Sequence, residues 1–177
     1  YILNGISIEL LIPFFIKINF LNASELFFNT IQSGNIDNVE AQLKRNPELV
    51  NIKDSRGFTP LIFATYFDKE AIARSLIEHH APIEAKDASG NTALIGVCFK
   101  GNISLAEYLI ANNANINAVN NNGTTALIFS SMYNKVESVK LLVERNADIN
   151  IKDNQGKTAL DYAQEKGFIE IVDLLSN

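Results

Sequence analysis

A chain of 177 residues, 47% hydrophobic and 20% charged, can bury a sizeable core and is too apolar to remain disordered. Its formal net charge of −5 argues against nucleic-acid binding, which needs clustered cations to displace counterions from phosphates. The single cysteine, Cys98, excludes an intramolecular disulfide, although that alone does not exclude export.

Residues 1–23 stand apart from the rest. The apolar run from Ile6 to Leu21 is broken by Glu9, Pro13 and Lys17. A bilayer span wants about 20 uninterrupted apolar residues, so a transmembrane helix is the weakest reading, and membrane contact is expected only if this segment is retained as an anchor. Two other readings stand level. Leu21-Asn22-Ala23 has the small-residue character of a signal-peptide cleavage site, which implies an exported, periplasmic or secreted protein, although no basic region precedes the run. Alternatively, the segment is a helix packed over the next one, hiding Leu26, Phe27 and Phe28, and the protein is cytoplasmic.

Residues 24–51 read as a first helical pair. Gly34-Asn35-Ile36-Asp37-Asn38-Val39 opens its second helix, and Asn46-Pro47-Glu48-Leu49-Val50-Asn51 carries one extra residue in the following loop. From there the chain repeats. Glycines fall at Gly57, Gly90, Gly123 and Gly156, each 33 residues after the last. Around them Asp54-Ser55-Arg56-Gly57-Phe58-Thr59-Pro60-Leu61 returns as Asp87-Ala88-Ser89-Gly90-Asn91-Thr92-Ala93-Leu94. It comes back as Asn120-Asn121-Asn122-Gly123-Thr124-Thr125-Ala126-Leu127 and as Asp153-Asn154-Gln155-Gly156-Lys157-Thr158-Ala159-Leu160. The Asp or Asn bonds local backbone, and the glycine accepts a positive φ, which together suit a tight β-turn. The Thr is a helix N-cap, and Pro60 stands at a first helical position, where its missing N–H costs nothing.

A short helix from Thr59 to about Phe67 follows, with Leu61 and Ala64 on one face, and then a second carrying Ile72, Leu76 and Ile77. Later second helices carry Ile103, Leu109 and Ile110, then Val136, Val139, Leu142 and Val143. Helices this short are not stable alone, so stability must come from stacking between repeats. The second helices end in His80, Asn113 and Asn146, the position where a left-handed residue closes a helix. Ala-Asn-Ile-Asn (114–117) and Ala-Asp-Ile-Asn (147–150) read as strand-like returns to the next turn.

These phrases resemble the ankyrin repeat, whose T-P-L-H-x-A motif is matched best by Thr59-Pro60-Leu61-Ile62-Phe63-Ala64 and Thr158-Ala159-Leu160-Asp161-Tyr162-Ala163. The resemblance covers residues 24–177. It implies an all-α solenoid of stacked helix–turn–helix pairs joined by β-turn or hairpin loops, with about five repeats including caps: 24–51, 52–84, 85–117, 118–150 and 151–177. Three departures stand out. Ile62, Ile95, Ile128 and Asp161 replace the family's histidine, so its usual inter-repeat hydrogen bonds are expected to be absent. Asp68 and Asn134 replace the glycine between helices that Gly101 and Gly167 keep. Glu70 stands where other repeats have Ile103, Val136 or Ile169, which makes repeat two the expected weakest link.

Parts for catalysis are missing from the sequence. His79 and His80 are neighbours at a helix end, pointing about 100° apart, and read as a solvated terminus rather than a metal pair. Cys98 aligns with Thr65 and Ser131 and reads as a packed thiol. Glu165 and Asp161 have helical spacing without a substrate cleft, and no glycine-rich phosphate cradle is present. The expectation is no enzyme, no metal and no cofactor.

The resemblance instead implies protein binding on a concave face built from turn tips and first-helix ends. Carried over by position, the expected contact residues are Arg56, Phe58, Ser89, Asn91, Asn122 and Thr124 at the tips. At the helix ends they are Tyr66, Phe67, Phe99, Lys100, Met132 and Tyr133. Aromatics and Met concentrate at the energetic centres of interfaces, although the same side chains also pack between repeats. Gly96, aligned with Phe63 and Phe129, is expected to leave a dip in the first-helix ladder. The expected partner is a protein bound by a monomer. The alternative is a structural or envelope-associated repeat protein, tethered or exported by its first 23 residues.

Overall fold

The computed structural model describes residues 23–176. The expectations for residues 1–23 lie outside them, except that Ala23 is helical. Among the described residues, α1 (23–33) and α2 (Ile36–Arg45) form the first pair, followed by a 3-10 turn at Pro47–Asn51. Four further pairs follow: α3 (Pro60–Tyr66) with α4 (Glu70–Glu78), α5 (Ala93–Lys100) with α6 (Ile103–Ala111), α7 (Ala126–Met132) with α8 (Val136–Glu144), and α9 (Ala159–Lys166) with α10 (Ile169–Ser176). The described chain contains no strand, and α3, α5, α7 and α9 stack in succession, an all-α solenoid.

Local chemistry sets every boundary. Thr59, Thr92, Thr125 and Thr158 each accept a hydrogen bond from the third backbone N–H beyond them, at Ile62, Ile95, Ile128 and Asp161. At the other end of each first helix, the N–H of Lys69, Asn102, Lys135 and Phe168 reaches back to the carbonyl of Ala64, Val97, Ser130 and Ala163. This closure needs a left-handed residue just before the donor, which is why Asp68, Gly101, Asn134 and Gly167 all have positive φ. The second helices close the same way through His80, Asn113 and Asn146, with φ of 62°, 68° and 61°.

The segments read as strand-like are turns instead. The Ala118 N–H donates to the Asn115 carbonyl, and Asn115 Oδ1 accepts from the Asn117 N–H. The Asn side chain supplies a local acceptor that competes with extended pairing, and among the described residues no neighbouring strand offers a better one.

The core is one continuous apolar layer running through all five pairs. Phe27, Leu43, Leu61, Leu76, Leu94, Leu109, Leu127 and Leu142 are fully buried, and Ile171 and Leu175 continue the layer into the last pair. Ile62, Ile95 and Ile128, in the family's histidine position, join this layer. Asp161 in the same position turns back to accept from the backbone N–H and hydroxyl of Thr158 while Thr158 Oγ1 caps it in return, a capping box at the start of α9. Those bonds hold the Asp161 carboxyl below the usual carboxylate range. Glu70 accepts from Arg74 at 2.7 Å and from Ser104 of the next repeat at 2.9 Å, so the helix start that lacks an apolar residue is tied by polar bonds.

Turn tips are joined by a second, polar seam. The backbone N–H of Ala88, Asn121 and Asn154 donates to the carbonyl of Arg56, Ser89 and Asn122, in each case one repeat earlier. Asn121 and Asn154 add side-chain donation to the carbonyls of Ala88 and Asn121. Gly90 shows why glycine is required in these tips. With φ of +80°, it passes so close to the next tip that an added Cβ would lie 2.4 Å from Asn121 Oδ1.

Candidate functional site: an aromatic groove over Gly96

Each turn begins with a side chain that organises it. Asp54, Asp87, Asn120 and Asp153 use Oδ1 to accept the backbone N–H groups two and four residues ahead, at 2.8–3.1 Å. The turns are thereby held at fixed height above the first helices. Between the turn of the third repeat and α3, α5 and α7 lies a groove of about 540 Å³. Gly96 forms part of its floor beside Ile62 and Ile95, and Phe58, Tyr66, Phe99, Phe129 and Tyr133 form its walls.

The groove exists because Gly96 has no side chain. A Cβ built there meets no atom within 4 Å, although Phe63, Phe129 and Tyr162 occupy the same position in the other full repeats. The surrounding rings are mutually braced. Phe99 meets Tyr133 edge-on at 4.9 Å, Tyr133 stacks on Phe129 at 6.0 Å, and Phe58 leans on Tyr66 at 5.4 Å. Such pairs contribute about 0.5–1.5 kcal/mol each and fix ring orientation. Even so, Tyr66, Phe99 and Tyr133 remain 54%, 42% and 50% exposed. Three large aromatic side chains left open around one depression are unusual for idle surface.

Two cations border the groove, and both are already paired. Lys100 donates to Asp68 at 2.5 Å and to the Tyr66 carbonyl at 2.7 Å. Arg56 grips Asp54 through Nε and Nη2 at 2.9 and 2.7 Å and lies over the Phe58 ring at 4.3 Å. Asp87 also lines the groove, and among the described residues it has no ion-pair partner.

The expected contact residues therefore separate. Phe58, Tyr66, Asn91, Phe99, Lys100 and Tyr133 come together around the groove. Ser89 and Asn122 are exposed at neighbouring tips, outside the groove lining, and Arg56 borders it against Phe58. Thr124 does not reach the surface: it is 4% exposed, because its backbone closes the turn on Asn120. Phe67 and Met132 are half-buried against the core, and Phe67 packs on Phe63 at 4.6 Å, away from the groove. Ile62, Thr65, Asp87, Thr92, Ile95 and Phe129 also line the groove, and sequence reasoning did not place them there. The signal for this floor was Gly96, since a missing side chain leaves a depression bounded by its neighbours.

Outside the groove, polar chemistry is structural. His79 is not merely solvated: its Nε2 lies 2.9 Å from Glu40 Oε2, and Ser75 donates to the other oxygen of Glu40. Those two partners, Ser75 first, draw the Glu40 carboxyl below its ordinary range. Burial pushes the Cys98 thiol up to about 12, which removes the thiolate that a nucleophile requires. Among the described residues, no group of three or more His, Cys, Asp or Glu could hold a metal ion, and no helix is long and apolar enough to cross a membrane.

The repeated turn, the paired short helices and the continuous stack define a helical repeat solenoid. The family model described as ankyrin repeats (3 copies) matches over two ranges, residues 27–120 and 95–177, and the chain belongs to the ankyrin-repeat family. No curated protein matches it. Ankyrin repeats are in general protein–protein interaction modules and are typically non-catalytic.

Proposed function

We propose that this protein is a non-catalytic binding module that holds one partner protein in the groove over Gly96, on the concave face of the solenoid. The observation that carries this reading is the ring of exposed aromatics, Tyr66, Phe99 and Tyr133, around an apolar floor. Stacked repeats hold these rings on rigid helices, so little ordering is lost when a partner covers them. The tips carrying Ser89, Asn91 and Asn122 supply a polar rim. Arg56 and Lys100 contribute apolar stems and positioned cations whose charge is already balanced by Asp54 and Asp68.

The test is affinity capture with the wild-type chain beside Tyr66→Ala and Tyr133→Ala, with circular dichroism on all three. Both substitutions remove exposed ring area and should leave folding intact while weakening capture about tenfold or more. Capture that is indifferent to both substitutions would overturn the reading.

A further inference from the structure

Within the repeats, one first-helix position is coupled to the turn that precedes it, and the solenoid shows several ways of completing the pair. In the last repeat Tyr162 supplies a ring, and its hydroxyl donates to Asp153 Oδ2 at 2.6 Å. In repeat two Phe63 supplies a ring without a hydroxyl, and Asp54 Oδ2 takes Arg56 instead. Repeat four has Phe129, and its turn begins with Asn120, which carries no charge and donates through Nδ2 to Asn91. Repeat three keeps the carboxylate and lacks the ring. Gly96 brings no ring, and among the described residues Asp87 Oδ2 accepts only the Asn91 amide, at a long 3.2 Å. Both open onto the same groove.

We infer that this slot receives a tyrosine side chain of the partner protein, with its ring over Gly96 and its hydroxyl donated to Asp87. The inference rests on the groove being the protein-binding surface. It commits to tyrosine because Tyr162 meets both needs with one side chain in the equivalent place. Electrostatic complementarity points the same way: the slot ends in a carboxylate without a cation, which calls for a donor.

The test needs no identified partner. N-acetyl-tyrosinamide, N-acetyl-phenylalaninamide and N-acetyl-argininamide are titrated into ¹⁵N-labelled protein, and backbone amide shifts are followed. The tyrosine probe should bind weakly, shift the Asp87 and Gly96 amides, and bind about tenfold tighter than the phenylalanine probe, the usual worth of a hydrogen bond to a charged acceptor. Asp87→Asn should erase that preference. Its turn is safe because Asn120 already builds the same one, and its amide nitrogen would stand where Oδ2 accepts. Gly96→Tyr should abolish probe binding by supplying the ring from within. Equal binding of the tyrosine and phenylalanine probes, tighter arginine binding, or a preference that survives Asp87→Asn overturns the assignment. If the probes fail while Tyr66→Ala still weakens protein capture, the groove remains the interface and only the tyrosine is wrong. If the probes bind but capture ignores Tyr66→Ala and Tyr133→Ala, the interface lies elsewhere and the inference falls with it.

Discussion

Gly96→Ala is the most direct probe of the groove's origin. Gly96 sits in the interior of α5, does not have a positive φ, and faces open space where its Cβ would be. An interior helical glycine costs about 0.5–1 kcal/mol relative to alanine, largely through the freedom it gives the unfolded chain. With no contact within 4 Å to oppose the methyl group, the substitution should recover that amount. For a domain of this size it corresponds to a rise in Tm of about 1–4 °C. In a urea titration the midpoint should move up with an unchanged slope. Gly90→Ala is the internal contrast. There φ is +80° and the added Cβ would lie 2.7 Å from the Asn121 backbone nitrogen, so a loss of at least about 1–2 kcal/mol is expected. A Gly96→Ala midpoint at or below wild type would falsify the account, because it would mean that the glycine is needed by the backbone and not by the groove.

Other substitutions test other parts. Tyr162→Phe should cost about 1–2 kcal/mol near neutral pH by leaving Asp153 without its phenolic donor, measured by denaturant titration. The hydrogen bond to Asp153, aided by burial, raises the Tyr162 pKa to about 12. Its stabilising contribution is therefore complete below the unfolded value of about 10 and is lost as pH rises through about 12, a decline that Tyr162→Phe should remove. Asp153 shifts the opposite way. Burial alone would raise it, but the bonds from Tyr162, Lys157 and Gln155 outweigh burial, so its contribution is present above the ordinary Asp range and fades as pH falls. Iodoacetamide should leave Cys98 unmodified in the native protein and alkylate it readily in urea; rapid native labelling would refute its burial. Thr125→Ala should cost about 1 kcal/mol by removing the cap on Ile128.

What the sequence made legible is whatever is decided within one repeat. Turn, cap and left-handed closure each depend on residues within five positions of one another, so Asp87, Gly90 and Thr92 could be read without neighbours. The dip at Gly96 was legible because repetition supplies its own reference: three rings in register make the missing one visible. What escaped is settled between repeats or by small rotations. Met132 and Tyr133 are adjacent, but about 100° apart in direction, so one packs inward while the other lines the groove. Glu40 and His79 are 39 residues apart, and nothing local announces their pairing. Thr124 looked like an exposed tip, yet its turn folds it under Asn120.

The seam of turn tips has a consequence for how such a chain changes length. Its backbone bonds recur at one offset of 32 residues, from Ala88 to Arg56, from Asn121 to Ser89 and from Asn154 to Asn122. Main-chain groups carry no record of which repeat they belong to, so a tandemly duplicated 33-residue unit would find the same donors and acceptors waiting on either side. At the seam, an added or removed internal copy would therefore need no new backbone junction, and only the apolar faces of its helices would have to match. The exception is the unit holding Gly96 and Asp87, whose loss would keep the solenoid but discard its groove.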